Sequence, residues 1–346
     1  MSAVLAMPVL PRLQTPSGAS AVGSTAPASL FHSDAWCRIL TDTYGFTSRS
    51  ISLEGSSQPT LPILEVNSWL TGRRGVSLPF TDHCAASCRN VSDFAAVLAK
   101  VETLARQHRW TYWEYRGGTE FWPDAQPSVT YFQHHLALQS DVPALFRGCH
   151  ATTRTAVRKA EATPLQVDFS TSRAAMRQYY RLACHTRQRH GLPPQPWAFF
   201  DNLQSRLLAA GHGQIALATL HGQPVAGAVF LESDTEAHYK FGASDTAFQE
   251  LRPNNLIMWR AIEHYARRGF ARLDFGRTSQ DNSGLRRFKL GWGATESLLA
   301  YVRLEFPSRR FATVSDATTG RHTAFFRRLP QPLARIFGRL AYRHIA

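Results

Sequence analysis

The chain is poor in lysine: arginine supplies 35 of its 39 basic residues and lysine four, at positions 100, 159, 240 and 289. A coding preference for arginine accounts for such a bias, although arginine's planar fork also suits phosphate and carboxylate groups. Cysteine is sparse, with five residues at 37, 84, 88, 149 and 184. Their odd number and the lack of a paired C-x-x-C argue against a disulfide framework or a zinc ribbon, and a reducing, cytoplasmic setting is expected. Asp82-His83-Cys84 with Cys88 makes half of a tetrahedral site, but no second half stands at suitable spacing, so no metal is expected. Nowhere do eighteen apolar residues run together, so a spanning helix is not expected. The opening "MSAVLAMPVLP" lacks the basic start of a signal peptide, and residues 1–30, rich in Ala, Ser, Pro and Gly, are expected to form a disordered lead-in.

Acidic residues are the other shortage. There are 25 of them, which leaves a net charge of +14 and favours polyanions such as nucleic acid, nucleotide phosphates or an anionic membrane surface. Half of that excess lies in residues 307–346, where eight arginines face the single Asp316. What is present in quantity is core-forming material. With 44% hydrophobic and 11% aromatic residues wholesale disorder is excluded, and 346 residues suit two domains of about 150 each.

Periodicity and turn signals predict a helix over 31–44 stopped by Gly45, then a hairpin of strands 50–53 and 61–66. A glycine-flanked basic stretch with Arg73 and Arg74 leads into "SLPF". A helix over 93–107 and strands 110–115 and 129–138 follow. One basic helix is expected over 143–162, with Arg154 and Arg158 a turn apart on either a solvated face or a phosphate-facing ridge. Next come a strand at 166–169 and helices over 171–190 and 197–210. Strands 214–220, 225–231 and 237–243 form an antiparallel meander, and "RPNN" opens a helix ending at Gly269. A strand at 270–276, a polar loop with a short basic segment, and a strand at 295–304 complete the pattern. In 307–346, Leu333, Ile336, Phe337, Leu340 and Ala341 share a helical face beside Arg335, Arg339 and Arg343. Such a basic amphipathic tail can lie on an anionic bilayer, hold tRNA backbone or pack on the protein itself.

Meander, helix, strand, insertion, strand is the order of the acyltransferase core of the GNAT superfamily. With "SLPFTDHC", "TRQRHGLPP", "YKFGAS" and above all "DFGRTSQDNSGLRRFKLGWGA", residues 31–304 resemble the FemAB/FemX-type aminoacyltransferases, nearest the FemAB-related proteins of Gram-negative exopolysaccharide systems. The resemblance implies an α/β fold of two tandem GNAT-like acyltransferase domains, with mixed, mainly antiparallel sheets flanked by helices, over 31–160 and 161–306. It implies amide formation between an activated donor, aminoacyl-tRNA or acyl-CoA, and an amine on a cell-envelope or exopolysaccharide precursor. No tightly bound cofactor and no DNA are expected, and the setting is the cytoplasm, at the inner face of the membrane if the tail makes peripheral contact. An acyl-CoA-dependent N-acyltransferase of a small-molecule or sugar amine, and a non-catalytic scaffold binding polyanions or membrane, are the competing readings.

Such transfer needs two large substrates aligned and a developing oxyanion stabilised. Acetyl-CoA users rest the pyrophosphate on a glycine-rich turn at a helix N-terminus. The corresponding stretch here, Glu250-Leu251-Arg252-Pro253-Asn254-Asn255, has no glycine and loses one N–H to proline, which counts against ordinary acetyl-CoA binding. By the resemblance, Phe288 stacks on a terminal adenine and Lys289 meets the ribose phosphate or the oxyanion, while Gly291 and Gly293 admit close backbone approach above Trp292. On composition alone Phe288 reads as core and Lys289 as surface. Asp274 accepts a proton, orients Arg277 or caps its loop, which continues through Ser279, Gln280 and Asp281. Tyr239 and Lys240 alternate, so one faces the cleft. Arg73, Arg74, Arg154 and Arg158 are candidates for acceptor phosphate or carboxylate.

Overall fold

The computed structural model describes residues 29–55, 59–314 and 321–344. The expected lead-in therefore lies almost wholly outside the described residues. Helix α1 (Asp34–Tyr44) begins where Ser33 accepts the Trp36 N–H and ends at Gly45, whose φ of 74° suits glycine. Strands β1 (Thr47–Ser48), β2 (Leu64–Ser68) and β3 (Gly72–Val76) form an antiparallel meander. Helix α2 (Val91–His108), capped by Asn90, then returns the chain so that β4 (Tyr112–Tyr115) lies parallel to β3. Strand β5 (Val129–Ala137) and helices α3 (Val142–Gly148) and α4 (Ala151–Glu161) follow.

The second half repeats this plan. After β6 (Gln166–Ser170), α5 (Arg173–Arg189) and α6 (Trp197–Leu203), the meander β7 (Gly213–Leu220), β8 (Gln223–Glu232) and β9 (Glu236–Ser244) leads to α7 (Pro253–Arg267). Strand β10 (Arg272–Ser279) then lies parallel to β9. Helix α8 (Ser283–Leu290), β11 (Thr295–Glu305), β12 (Arg310–Phe311), α9 (Arg321–Arg328) and α10 (Gln331–Ala341) complete the chain. Two meander–helix–strand units in tandem agree with the expected fold, though the repeat is carried by topology and not by sequence.

The halves exchange strands. One sheet runs in the order β1-β2-β3-β4-β11-β5-β10-β9-β8-β7-β6, with β12 beside β11. Strand β5 of the first half pairs with β10, and β11 of the second pairs with β4. β11 changes partner along its length, with Thr295–Tyr301 on β5 and Val302–Glu305 on β4. The sheet is thus continuous across the boundary expected at 160/161. Two large apolar clusters cover it, besides a small one of Tyr131, Leu299 and Tyr301: one joins Trp36, Tyr44, Phe94 and Trp113 to Tyr179, Phe199 and Val229, and the other packs Ile257, Met258 and Tyr265 of α7 on Phe230, Leu273 and Phe275.

Several local expectations need correction. Ile51 and Leu61 make an isolated bridge, and β2 forms its hairpin with β3, so Arg73 and Arg74 lie on a strand. The helix expected over 143–162 breaks at Cys149–His150 into α3 and α4. The polar loop after Gly276 is shorter than expected, because β10 continues to Ser279 and the basic segment is helix α8, capped by Asn282.

The tail packs on the protein along one side. Ala334, Gly338 and Tyr342, spaced at four, are buried. Tyr342 donates to the Pro193 carbonyl at 3.1 Å and accepts from Arg187, and the His344 carbonyl accepts from Arg74 and Thr71. A Cβ at Gly338 would lie 2.0 Å from the Pro194 carbonyl oxygen. Gly338→Val is therefore expected to undock α10 at a cost of about 1–3 kcal/mol. Limited proteolysis should release the tail faster, with a small fall in Tm.

Candidate active site

β9 and β10 pair over only three positions, Glu236 with Arg272, Ala237 with Leu273 and His238 with Asp274. Beyond them the two strands part, because β10 stays with β5 while β9 stays with β8. β10 also bulges there, spending Asp274 to Arg277 against His135 to Gln133 of β5. Gly276, at φ 68°, makes the bulge possible, and a Cβ on it would sit 2.6 Å from Asp82 Oδ2. Asp82 itself follows Leu78 and Phe80, two bulky residues held at φ near 60° (60° and 58°), a strained backbone of the kind found at functional sites.

Against this opening lies a cavity of about 1520 Å³. Its walls include Asp82, His83 and the start of α2 from the first half, and alternate residues of three strands: Gln133 and His135, Glu236, His238 and Lys240, Arg272 and Asp274. Asp274 is buried at the centre of the polar wall. Its Oδ2 lies 3.3 Å from His238 Nδ1, its Oδ1 accepts the Gly276 N–H at 2.7 Å, and His135 Nδ1 is 3.6 Å away. Burial alone would raise this carboxyl, but the hydrogen bonds and charge of His238, with His135 and Gly276, hold it well below the usual carboxylate range. In the neutral form of the His238 imidazole an ionised Asp274 selects the tautomer with its proton on Nδ1, which makes Nε2, 4.0 Å from Glu236 Oε2, the proton acceptor. The ring of Phe31, 5.2 Å away in an edge-on contact, holds the imidazole in place.

Two lysines flank the opening. Lys240, its side chain 4% exposed, lies 3.5 Å from Asp82 and within 6 Å of the rings of Phe31, Trp36 and Phe241. Burial lowers its pKa against the attraction of Asp82. Lys289 is buried, not on the surface: its Nζ donates to the Gly276 and Arg277 carbonyls at 2.8 and 2.9 Å, the two carbonyls turned inward by the bulge. Burial pulls this ammonium down to about 8, against the pull of Asp82 and Asp274. Helix α8 is pinned to the sheet by Arg286, which holds both oxygens of Glu296 at 2.7 Å while His134 binds the same carboxylate at 2.9 Å.

Of the other residues expected at the site, Arg277 lies beside the cavity without lining it, its guanidinium 4.2 Å from the Tyr131 ring and 3.7 Å from Asp82. Tyr239 points to the opposite side of β9 from Lys240 and packs on Phe230, while its hydroxyl end lies over Gly242. Phe288 is half-buried against Trp292. The close approach that Gly291 and Gly293 permit is to the α3–α4 corner: added Cβ atoms would meet Thr153 Oγ1 at 2.5 Å and the Gly148 carbonyl at 2.9 Å. Trp292 is buried between them. Asp281 is exposed in the turn before α8, and Gln280 binds Thr130. Arg154 donates to the Arg147 and Cys149 carbonyls, and Arg158 lies over Phe146, so both serve the same corner. Arg73 binds Asn67, and Arg74 is buried against Thr71 and His344.

The residues that reasoning from sequence passed over are His238, His135, Glu236 and the pair Asp82-His83, the last noted only as part of a metal motif. His135, Glu236 and Asp274 have ligand atoms within 4.8 Å of one another. Those carboxylates are already engaged, Glu236 by Nε and Nη2 of Arg272 (2.7 and 2.9 Å) and Asp274 by His238 and Gly276. Cys84 turns into the core, where burial pushes its thiol up.

Residues 147–296 match the family described as "Acetyltransferase (GNAT) domain". The match covers less than half of the chain and makes this segment similar to that domain family. Among solved structures, FemX superposes with a TM-score of 0.64 at 14% identity, covering 80% of this chain and 92% of FemX. The C-terminal domain of a putative lysylphosphatidylglycerol synthetase from Agrobacterium fabrum gives 0.53 at 12%, covering 78% and 86%. A tandem GNAT protein of the clavulanic acid biosynthesis pathway gives 0.52 at 12%, covering 84% and 92%. At these identities the likeness establishes the fold. No curated protein matches by sequence.

Within this segment Lys289→Met would leave two buried carbonyls without their donor, at a cost of about 1–3 kcal/mol. The lysine also imposes a sign on pH dependence. Between about 8 and the unfolded value of 10.5 the unfolded chain keeps the proton that the folded chain has lost, so stability gains as pH rises through that window. The stability difference between wild type and Lys289→Met, read by urea denaturation, is expected to widen from pH 8 to 10.5.

Proposed function

We propose that this protein transfers an aminoacyl group from aminoacyl-tRNA to an amine of a cell-envelope or exopolysaccharide precursor, forming an amide. The observation that carries the reading is the His238–Asp274 pair set in the wall of a large cavity, beside the parting of β9 and β10. The acceptor amine enters from the cavity and gives its proton to His238 Nε2 as nitrogen attacks the donor carbonyl. An N–C bond forms, the ester C–O bond to the terminal ribose breaks, and the proton passes to the departing ribose oxygen. Lys289 spends two of its three N–H groups on the bulge carbonyls, which leaves one for the developing oxyanion. Arg277 and Lys240 supply further positive charge, with Phe288 on the donor side. The cytoplasm, where aminoacyl-tRNA is made, is the compartment this reading requires.

Two features favour this donor. Helix α7 begins at Pro253 after Arg252 at φ 58°, without the glycine turn that would cradle a CoA pyrophosphate. The fold is also shared with FemX and with a putative lysylphosphatidylglycerol synthetase, whose name denotes an aminoacyl product. The second reading, transfer from acyl-CoA, is favoured by the match to an acetyltransferase family.

The purified protein, given an envelope-precursor extract, separates these readings when supplied with either radiolabelled aminoacyl-tRNA or a labelled acyl-CoA. Ribonuclease-sensitive incorporation from the tRNA pool is expected; incorporation from acyl-CoA alone would install the second reading, and none from either donor would favour a non-catalytic scaffold. His238→Ala and Asp274→Asn should each lower kcat by roughly 10²- to 10⁴-fold without preventing folding. Unchanged turnover in both would remove the proposed base.

A further inference from the structure

Helix α10 has two apolar sides, and the protein uses only one. At 100° per residue, Ala334, Gly338 and Tyr342 fall within an arc of about 80° and are buried against the 187–196 region. On the opposite side Leu333, Ile336, Phe337 and Leu340 fall within an arc of about 100° and are 44–57% exposed. Phe325 of α9, at 58%, adjoins this face through Phe326, whose ring lies 4.8 Å from Phe337. The β2–β3 turn presents Trp69 and Leu70, at 87% and 63%, and it is tied to the end of the tail by the Ser68–His344 hydrogen bond at 2.9 Å and the Trp69–His344 ring contact. Seven of the nine large apolar side chains most exposed among the described residues therefore belong to the tail or to the turn that abuts it.

Charge identifies the occupant. Arg335, Arg339 and Arg343 are exposed along one margin of the apolar stripe, and Arg327 and Arg328 are exposed at the end of α9, with no acidic residue anywhere in 321–344. A nucleic acid would meet Leu and Ile where it needs cations and stacking planes. A lipid interface matches both features: acyl chains take the aliphatic stripe, anionic headgroups take the arginines, and Trp69 is of the type that settles at the boundary.

We propose that the outward face of α9 and α10, with the Trp69–Leu70 turn, docks the protein on an anionic lipid bilayer. The docking is independent of the transfer reaction, since no residue of this face lines the cavity. The full chain should co-sediment with vesicles of phosphatidylcholine containing about one-third phosphatidylglycerol, and only weakly with phosphatidylcholine alone, and the binding should fall with added salt. Ile336→Glu/Leu340→Glu, which alters only outward side chains, should weaken partitioning roughly tenfold or more with Tm unchanged. Arg335→Glu/Arg339→Glu should lose the preference for phosphatidylglycerol. Failure to bind these vesicles, equal binding by the first double variant, or a concentration-dependent dimer that this variant dissolves would overturn the proposal. Transfer to a soluble acceptor should be unchanged in both variants, so loss of membrane binding is distinguishable from loss of chemistry.

Discussion

The exchange of β5 and β11 is the constraint on which the rest depends. Neither half closes its own sheet, because the strand following each strand–helix–strand unit pairs in the other half. β5 carries His135 to the position opposite Asp274, and its register with β10 defines the bulge at Gly276. Asp82 and His83 arrive from the first half, His238 and Asp274 from the second. The polar wall of the cavity is thus a product of assembly, and the two halves are expected to fold as one cooperative unit rather than as separable domains.

That assembly also accounts for charges sunk in a low-dielectric interior. An isolated buried ion is costly, and those here are answered by carboxylates: Lys240 by Asp82 and Arg303 by Glu114 from another strand or loop, Arg116 by Glu114 two residues before it, while Asp274 is itself met by His238 of the neighbouring strand. Glu114 shows the outcome, since burial would raise it but two arginines bring it to about 2. Tyr301 connects the two groups, its ring lying 5.3 Å from Arg116 and 5.2 Å from Arg277. Because such pairs barely recover their desolvation cost, they contribute geometry more than stability.

Much of the fold was readable from local signals. Ser33 and Gly45 bracket α1, the meander of the second half follows the alternation of 214–243, and Pro253 opens α7, because caps, period and proline are decided within a few residues. What was misread depended on distant partners. The Arg73–Arg74 segment reads as a glycine-flanked loop until β4 lies beside it, and "GLRRFKL" reads as loop until Asn282 caps it and Glu296 holds Arg286. The exchange itself leaves no local trace. Of the site, Asp274, Arg277 and Lys289 were visible through one motif. His238 carries the same signal as Lys240, since Glu236, His238 and Lys240 alternate along β9 and all reach the cavity wall. His135 has no partner within its own segment that would mark it.

The scarcity of lysine takes on meaning in this light. Lys100 and Lys159 are exposed, where arginine would serve as well, whereas Lys240 and Lys289 are buried at the opening between β9 and β10. A guanidinium is planar, carries five donors and stays charged at any ordinary pH. At Lys289 its five donors would meet two carbonyls, leaving donors unsatisfied in a buried place. An ammonium is compact, places its donors tetrahedrally, and is drawn down by burial to about 8. In a chain that otherwise writes its positive charge as arginine, these two positions are the ones where a lysine side chain is buried.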